Sequence, residues 1–210
     1  MIRRFVPLAL LCALAVPVFA QVPPVAPAQA PAPSAATVRV IVETSVGTIV
    51  LELEKERAPA TTANFLRYVD GKRLDGTTFY RAMKAGDVGL IQGGARGEHK
   101  RVLPGIAHEP TSVTGIKHLD GTISMARYAP GTATGDFFIT IGAMPSLDED
   151  RAAQGDNAGF AAFGRVVEGM DVVRRILDAS ISPTEGEGVM KGQMLASPVK
   201  IASARRVVPQ

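Results

Sequence analysis

The chain has 210 residues, 46% of them hydrophobic, which is enough for one domain with a substantial core. Its formal charge of +3 comes from 23 basic and 20 acidic residues, and no basic stripe is visible, so a nucleic-acid partner is not expected. Cys12 is the single cysteine, which argues against a disulfide framework and against thiol chemistry.

The first 20 residues have the order of a secretory signal peptide. Arg3 and Arg4 precede an apolar run over 5–18, and small residues ending at Ala20 fit a cleavage site. The apolar run is shorter than the roughly 20 residues of a spanning helix. We therefore predict a signal peptide at 1–20, a periplasmic location and no stable membrane anchor.

A proline- and alanine-rich stretch opens the rest of the chain. Residues 21–36 include five prolines and should form an extended, disordered spacer. A proline-rich ligand is the alternative, but the flanking charges that would support it are absent. We expect a single domain over 37–210.

The domain begins with a predicted β-hairpin and a predicted helix. The runs at 38–42 and 48–53 are β-branched and partly alternating, and a short turn separates them. Residues 58–70 predict a helix, because Pro59 suits its first turn and Gly71 suits its end.

Short strands and glycine-rich turns fill the middle of the domain. The strand candidates are 78–81, 89–92, 121–126, 137–141 and 161–166. A second helix over 170–179, a loop over 180–195 and a last strand over 199–207 complete the pattern. This pattern predicts a closed antiparallel barrel or sandwich with helices over its ends.

Two segments, 79–95 and 124–140, carry the candidate chemistry. They set a few polar side chains, notably Arg81 and Gln92, among apolar ones, and contain neither a nucleophile with its base nor a phosphate loop. One arginine, one glutamine and an apolar wall suit the binding and polarising of a neutral peptide group. No metal site is expected, because the three histidines are loosely spaced and no cysteine lies near them (His99, His108 and His118).

These motifs and their spacing resemble the cyclophilin-type peptidyl-prolyl cis-trans isomerases over nearly all of 38–208. The matching motifs are GTIVLEL at 47–53, APAT at 58–61, FYR at 79–81, IQGG at 91–94, GTISMA at 121–126, DFFI at 136–139 and FGRVVEGM at 163–170. The resemblance implies a mainly β fold, a closed eight-stranded antiparallel barrel capped by two α-helices. It also implies proline-containing polypeptide substrates and no cofactor, and we expect a monomer.

The resemblance also assigns the candidate site residue by residue. Arg81 matches the family arginine that stabilises the X-Pro amide while it is twisted out of plane. Gln92 matches the glutamine that helps orient this arginine and the peptide. Phe138 matches the main ring of the proline pocket. The other predicted substrate-binding residues are Leu90, Ala126, Arg127, Leu147 and Phe160.

Some positions depart from the family pattern. Ten residues separate Arg81 from Gln92, more than is common, so 84–88 is predicted to be a bulged or looped insertion. Gly89 stands where an aromatic side chain often lines the pocket, so a gap in the apolar wall is expected there, and Phe160 stands where a histidine often does. Two functions therefore stay open: a prolyl isomerase for exported proteins, or a peptide-binding module or chaperone with little turnover.

Overall fold

The computed structural model of the chain describes residues 2 and 36–207. The predicted signal peptide, apart from residue 2, and the spacer, apart from residue 36, lie outside these residues. No helix within the described part is both long and apolar enough to cross a bilayer.

Nine strands and three α-helices make up the described residues. The strands are β1 (Thr37–Thr44), β2 (Gly47–Glu54), β3 (Thr78–Ala85), β4 (Val88–Gly94), β5 (Thr122–Met125), β6 (Phe137–Ile141), β7 (Ala161–Glu168), β8 (Ile181–Ser182) and β9 (Met194–Arg206). The helices are α1 (Pro59–Asp70), α2 (Thr111–Thr114) and α3 (Met170–Leu177), and 3₁₀ turns occur at Pro145–Leu147 and Gly188–Met190.

The strands close into an antiparallel barrel. Their order is β1-β2-β7-β5-β6-β4-β3-β9-β8, and β1 also pairs with β9, so eight strands form the ring and the two-residue β8 extends it. The predicted closed eight-stranded barrel is therefore confirmed. The expected two helices correspond to α1 and α3. The sequence pattern missed α2 because a single four-residue turn has no measurable helical period.

An aromatic cluster joins α1 to the barrel interior. The Phe65 ring meets Phe137 edge-on at 5.3 Å between centroids and lies equally close to Phe163. All three side chains are buried. The start of α1 is held by Glu109, whose carboxylate accepts the backbone N–H groups of Ala60 and Thr61. A carboxylate at a helix N-terminus satisfies donors that lack a partner within the helix.

The segment between Arg81 and Gln92 is regular, which corrects the predicted insertion loop. The β3–β4 ladder runs without interruption from Arg81↔Gln92 to Ala85↔Val88, so the extra residues lengthen both strands and end in a tight turn. The irregularity lies instead at Tyr80, where the register of β3 shifts against both β4 and β9.

The bulge at Tyr80 decides which way the catalytic candidate points. Side chains alternate along a regular strand, so one extra residue turns two successive side chains to the same face. Phe79 and Ala82 belong to the barrel core, while Tyr80 and Arg81 between them do not. Both polar side chains therefore lie on the outer face of the barrel.

Gly89 lies where β4 packs closely on its neighbours. A Cβ atom at this position would lie 2.5 Å from the Met83 carbonyl oxygen and 3.1 Å from Leu177 on α3. The backbone oxygen cannot move without disturbing the β3–β4 ladder, so the space admits no side chain.

We therefore expect Gly89→Ala to destabilise the protein by about 1–3 kcal/mol through overpacking. Thermal or urea unfolding of the purified domain would measure this loss. Lys84→Ala in the same hairpin is the control, because its ion pair with Asp178 is exposed and contributes little. Equal stability of the Gly89→Ala and Lys84→Ala variants would contradict the packing argument.

Candidate active site

Strand register places the main candidate residues in one row. Arg81 on β3 lies opposite Gln92 on β4, Gln92 lies opposite Phe138 on β6, and Phe138 lies opposite Ser124 on β5. Neighbouring strands are about 4.8 Å apart. The arginine, the glutamine and the phenylalanine are therefore direct neighbours on the outer face.

A second apolar cluster, separate from the barrel core, surrounds Phe138 on that face. Leu90, Phe138 and Met144 are buried in it. The partly buried residues that pack against these three are Met83, Val88, Ala126, Leu147 and Phe160. The structure thus brings the predicted substrate-binding residues Leu90, Ala126, Leu147 and Phe160 together around Phe138.

The longer β3–β4 hairpin supplies part of this wall, which corrects the expectation of a gap at Gly89. That glycine faces Met83 O and α3, not the cluster. Met83 and Val88, one on each strand of the hairpin, pack against the cluster instead. Sequence reasoning missed both because it took this segment for a loop.

Two rings hold the Phe138 side chain from different sides. Phe160 meets it edge-on, with centroids 5.4 Å apart and ring planes at 89°. His118 stacks on it at 5.9 Å with the planes only 14° apart. Aromatic contacts of these geometries favour one ring orientation, so Phe138 is fixed before any ligand binds.

His118 is part of a buried hydrogen-bond chain. Its Nδ1 lies 2.7 Å from Asp148 Oδ1, and its Nε2 lies 3.0 Å from Ser124 Oγ. A carboxylate only accepts, so Nδ1 carries the proton and Ser124 donates to Nε2. Burial lowers the pKa of His118, partly offset by Asp148, and the ring is neutral at pH 7. Ser124 is 0% exposed, so this serine–histidine–aspartate chain supports Phe138 and cannot reach a substrate.

The Arg81 guanidinium is held by two glutamine side chains. Its Nε and Nη2 donate to Gln193 Oε1 at 2.9 and 2.7 Å, and its Nη1 donates to Gln92 Oε1 at 2.8 Å. Burial lowers the pKa of Arg81, yet an arginine remains protonated in proteins. Among the described residues, no carboxylate pairs with it. The site therefore holds an oriented positive charge that is not neutralised.

Gln92 is itself oriented by Tyr80. The Gln92 Nε2 group donates to the Tyr80 hydroxyl at 2.8 Å, which leaves Gln92 Oε1 facing Arg81. Burial raises the pKa of Tyr80, so the hydroxyl is neutral. The hydroxyl also faces the half-buried Asp136 carboxylate. Burial raises the pKa of Asp136, and the hydrogen bonds from the Arg96 backbone and from Tyr80 offset only part of that rise.

A wide cavity of about 640 Å³ adjoins the apolar cluster at Ala126, which contributes to both. Gln92 and Tyr80 form one side of this cavity, and the segment before β9 forms another, through Gly186, Glu187 and Met190. The cavity and the cluster together can accept an extended peptide on both sides of a proline ring.

The Arg127 side chain is bound by protein acceptors and supports the site indirectly. Its five N–H groups donate to Gly159 O, Tyr128 O and the Asp156 carboxylate. Its guanidinium carbon lies 5.1 Å from the centre of the Phe160 ring. The side chain has no N–H left for a substrate, and it packs against Phe160 instead.

Sequence reasoning missed three polar residues that shape the site: Tyr80, His118 and Gln193. Tyr80 was visible only as part of the FYR motif, and His118 was considered only as a metal ligand. Gln193 lies 112 positions from Arg81 in a segment predicted to be a loop, and no local pattern signals such a contact.

Comparison with known proteins identifies the family. Residues 39–206 match the family model described as cyclophilin type peptidyl-prolyl cis-trans isomerase. The chain therefore belongs to the cyclophilin-type peptidyl-prolyl cis-trans isomerases, an enzyme family, and the resemblance seen in the motifs is confirmed.

Individual relatives agree with this assignment. A peptidyl-prolyl cis-trans isomerase of Acinetobacter baylyi is 34% identical over 174 residues, covering 81% of this chain and 86% of the relative. Peptidyl-prolyl cis-trans isomerase A of Dickeya dadantii is 34% identical over 171 residues, covering 79% and 83%. A cyclophilin type isomerase of Cryptosporidium parvum, crystallised in the presence of the dipeptide Ala-Pro, shares the fold with a TM-score of 0.64 at 21% identity, covering 81% of this chain and 99% of that one.

The buried His118 predicts a specific pH dependence of stability. Because its pKa in the fold is lowered from the ordinary 6.5, protons bind the unfolded chain preferentially once the pH falls below about 6.5. The stabilisation from neutral His118 is thus complete above that pH and declines below it, by at most about 1.4 kcal/mol per pH unit.

Urea unfolding of the wild type and of His118→Gln at pH 8, 7, 6 and 5 measures this effect. The wild type should be the more stable protein at pH 8, and the difference should shrink as the pH falls. His99 and His108 are present in both proteins, so their titration cancels. A difference that stays constant or grows toward pH 5 would contradict a neutral His118.

Proposed function

We propose that the protein accelerates the cis-trans isomerisation of X-Pro bonds in exported polypeptides while they fold. The observation that carries this proposal is the Arg81 guanidinium, which is oriented by two neutral side chains and lies in the same cross-strand row as Phe138. The reaction needs a fixed cationic donor next to an apolar surface that can hold a proline ring. Arg81, which has no carboxylate partner among the described residues, and the Phe138 cluster supply these two groups.

The reaction breaks no covalent bond. Rotation about the X-Pro amide costs about 18–20 kcal/mol because the resonance of the amide is lost on the way. In the twisted state the lone pair becomes localised on the proline nitrogen, which can then accept a hydrogen bond. A fixed cationic donor stabilises that state more than the planar ground states, and such differential binding accelerates a reaction.

The apolar cluster and the adjoining cavity have different roles in binding. The apolar cluster around Phe138 has the chemistry to hold the proline ring. The wide cavity beside Gln92 has the room and the polar groups to hold the chain next to that ring. The Cryptosporidium relative was crystallised in the presence of Ala-Pro, which supports a proline-containing ligand here.

The alternative, a peptide-binding module or chaperone with little turnover, rested on the departures from the family pattern, two of which concern the β3–β4 hairpin. One was a looped insertion after Arg81, and the other was a missing wall at Gly89. The regular β3–β4 hairpin, with Met83 and Val88 on the cluster, argues against both of these defects. Measured turnover decides between the two functions.

The proposed site of action follows from the N-terminal sequence. A basic start, an apolar run and small residues ending at Ala20 support export through a cleaved signal peptide. Uncatalysed X-Pro isomerisation takes tens of seconds or longer. A chain that folds after crossing a membrane therefore benefits from a catalyst on the far side.

We expect Arg81→Ala to keep the fold and to lose turnover. Removing a charge-assisted hydrogen bond of about 1.5–3 kcal/mol corresponds to a roughly ten- to hundredfold lower kcat/KM. NMR exchange spectroscopy on a proline-containing peptide measures the rate, and thermal melting checks the fold. Arg57→Ala, outside the site, is the control, and full activity of a folded Arg81→Ala protein would refute the assignment.

Phe138→Ala should also lower activity, but with a larger loss of stability. The ring is buried between Phe160 and His118, and truncating a buried phenylalanine commonly costs about 3–5 kcal/mol. The same peptide assay at a temperature below the variant's melting point separates the two effects. Unchanged turnover in the folded variant would show that the proline ring binds elsewhere.

Export can be tested on the intact precursor. Expression in a bacterium, followed by periplasmic extraction and intact-mass measurement, should give a chain that begins at Gln21. A protein that keeps residues 1–20, or one that carries a lipid on Cys12, would contradict the predicted processing.

A further inference from the structure

We infer that Gln193 is a positioning residue for catalysis, which fixes the Arg81 guanidinium while leaving its charge intact. The inference rests on the proposed isomerase function and adds a residue that none of the family motifs in the sequence includes. It is carried by the hydrogen bonds around Arg81 and by the way in which the Gln193 backbone is anchored.

Gln193 takes the larger share of the bonds that hold Arg81. Its Oε1 accepts from Nε and from Nη2 at 2.9 and 2.7 Å, whereas Gln92 accepts from Nη1 alone. A guanidinium has five N–H groups, so these three bonds leave two for a substrate. The plane of the guanidinium, and with it the direction of those two donors, is set mainly by Gln193.

The orientation of the Gln193 amide is fixed from its other end. Its Nε2 donates to the Val189 carbonyl at 2.8 Å. A flipped amide would place its NH₂ group against the guanidinium and its oxygen against a carbonyl, so two attractions would become two repulsions. The Val189 contact therefore keeps the acceptor turned toward Arg81.

The backbone of Gln193 is held without help from its side chain. Its carbonyl accepts the N–H of Ala82, the residue after Arg81, at 2.9 Å, and its own N–H donates to Met190 O. The next residue, Met194, pairs with Arg81 across the β3–β9 ladder. Side-chain variants at 193 should therefore fold, with the loop still in place.

The acceptor that holds the Arg81 guanidinium is neutral, and this matters because charges interact more strongly when they are partly buried. Arg81 is half-buried, and a carboxylate at position 193 would form an ion pair that cancels the positive charge available to the twisted amide. An amide oxygen accepts the same two hydrogen bonds, from Nε and Nη2, without cancelling the charge. The structure thus separates two requirements, namely an acceptor of the right geometry and the absence of negative charge.

Two substitutions separate these requirements. Gln193→Met keeps the length of the side chain and removes the acceptor, while Gln193→Glu keeps an acceptor and adds a charge. We expect each to lower kcat roughly tenfold, as for one charge-assisted hydrogen bond, with peptide affinity unchanged. Gln193 does not line the cavity, so a loss confined to kcat indicates positioning. Lys191→Met, an exposed change in the same loop, is the matched control.

A double-mutant cycle tests whether the effect passes through Arg81. In an Arg81→Ala background, assayed at raised enzyme concentration, Gln193→Met should cause no further loss. An equal loss in both backgrounds, or full kcat in either single variant at position 193, would overturn the inference.

Hydrogen exchange of the Arg81 Nε–H provides a readout that does not depend on turnover. By NMR this proton should exchange slowly in the wild type and in Gln193→Glu, and quickly in Gln193→Met. Fast exchange in the wild type would overturn the inference. A wild type with slow exchange and no turnover would instead contradict the proposed function while leaving the contact established.

Discussion

The site depends on the hydrogen-bond register of the closed barrel. The ladder places Arg81, Gln92 and Phe138 opposite one another on three adjacent strands. The bulge at Tyr80 then turns Arg81 to the same outer face as the other two. A slip of one residue in any of these pairs would send a side chain of the row into the core. The strand pairing that closes the barrel therefore also sets the positions of the candidate catalytic side chains.

Two separate hydrogen-bond networks fix the two ends of the row, one at Arg81 and the other at Phe138. On one side, Tyr80, Gln92 and Gln193 orient the guanidinium. On the other, His118, bonded to Ser124 and Asp148, lies flat against Phe138. The side chains in direct contact with the guanidinium and with the Phe138 ring, namely the two glutamines, His118 and Phe160, are neutral. The positive charge of Arg81 is therefore the dominant electrostatic feature of the row.

The sequence predicted the barrel and the members of the row better than the contacts that orient them. Alternating β-branched runs and glycine-rich turns reveal strands because those patterns are local. Motif spacing identified Arg81, Gln92 and Phe138, although their roles in catalysis stay predictions. The Arg81–Gln193 bond depends on where a distant loop comes to rest, which no local pattern encodes.

Two errors have a shared physical origin. The segment 84–88 was taken for a looped insertion because added residues usually form loops, yet here they extend two paired strands. The expected gap at Gly89 presupposes that a side chain at that position faces the pocket. Once the hairpin is regular, alternation turns Gly89 toward α3 and brings Met83 and Val88 to the wall. Both errors arise because the sequence pattern does not reveal how far the β3–β4 hairpin extends.

The pairing of β1 with β9 has a consequence for how a client polypeptide is held and let go. Since the ring of eight strands is closed, a client cannot dock on it by adding a strand of its own, the mode in which main-chain hydrogen bonds accumulate along an edge. Binding then relies on local contacts around the row of Arg81, Gln92 and Phe138 and in the adjoining cavity. Local contacts give less affinity and less dependence on the surrounding sequence than strand addition, in which main-chain hydrogen bonds accumulate. A catalyst that must release both isomers of many different chains needs a hold of this kind.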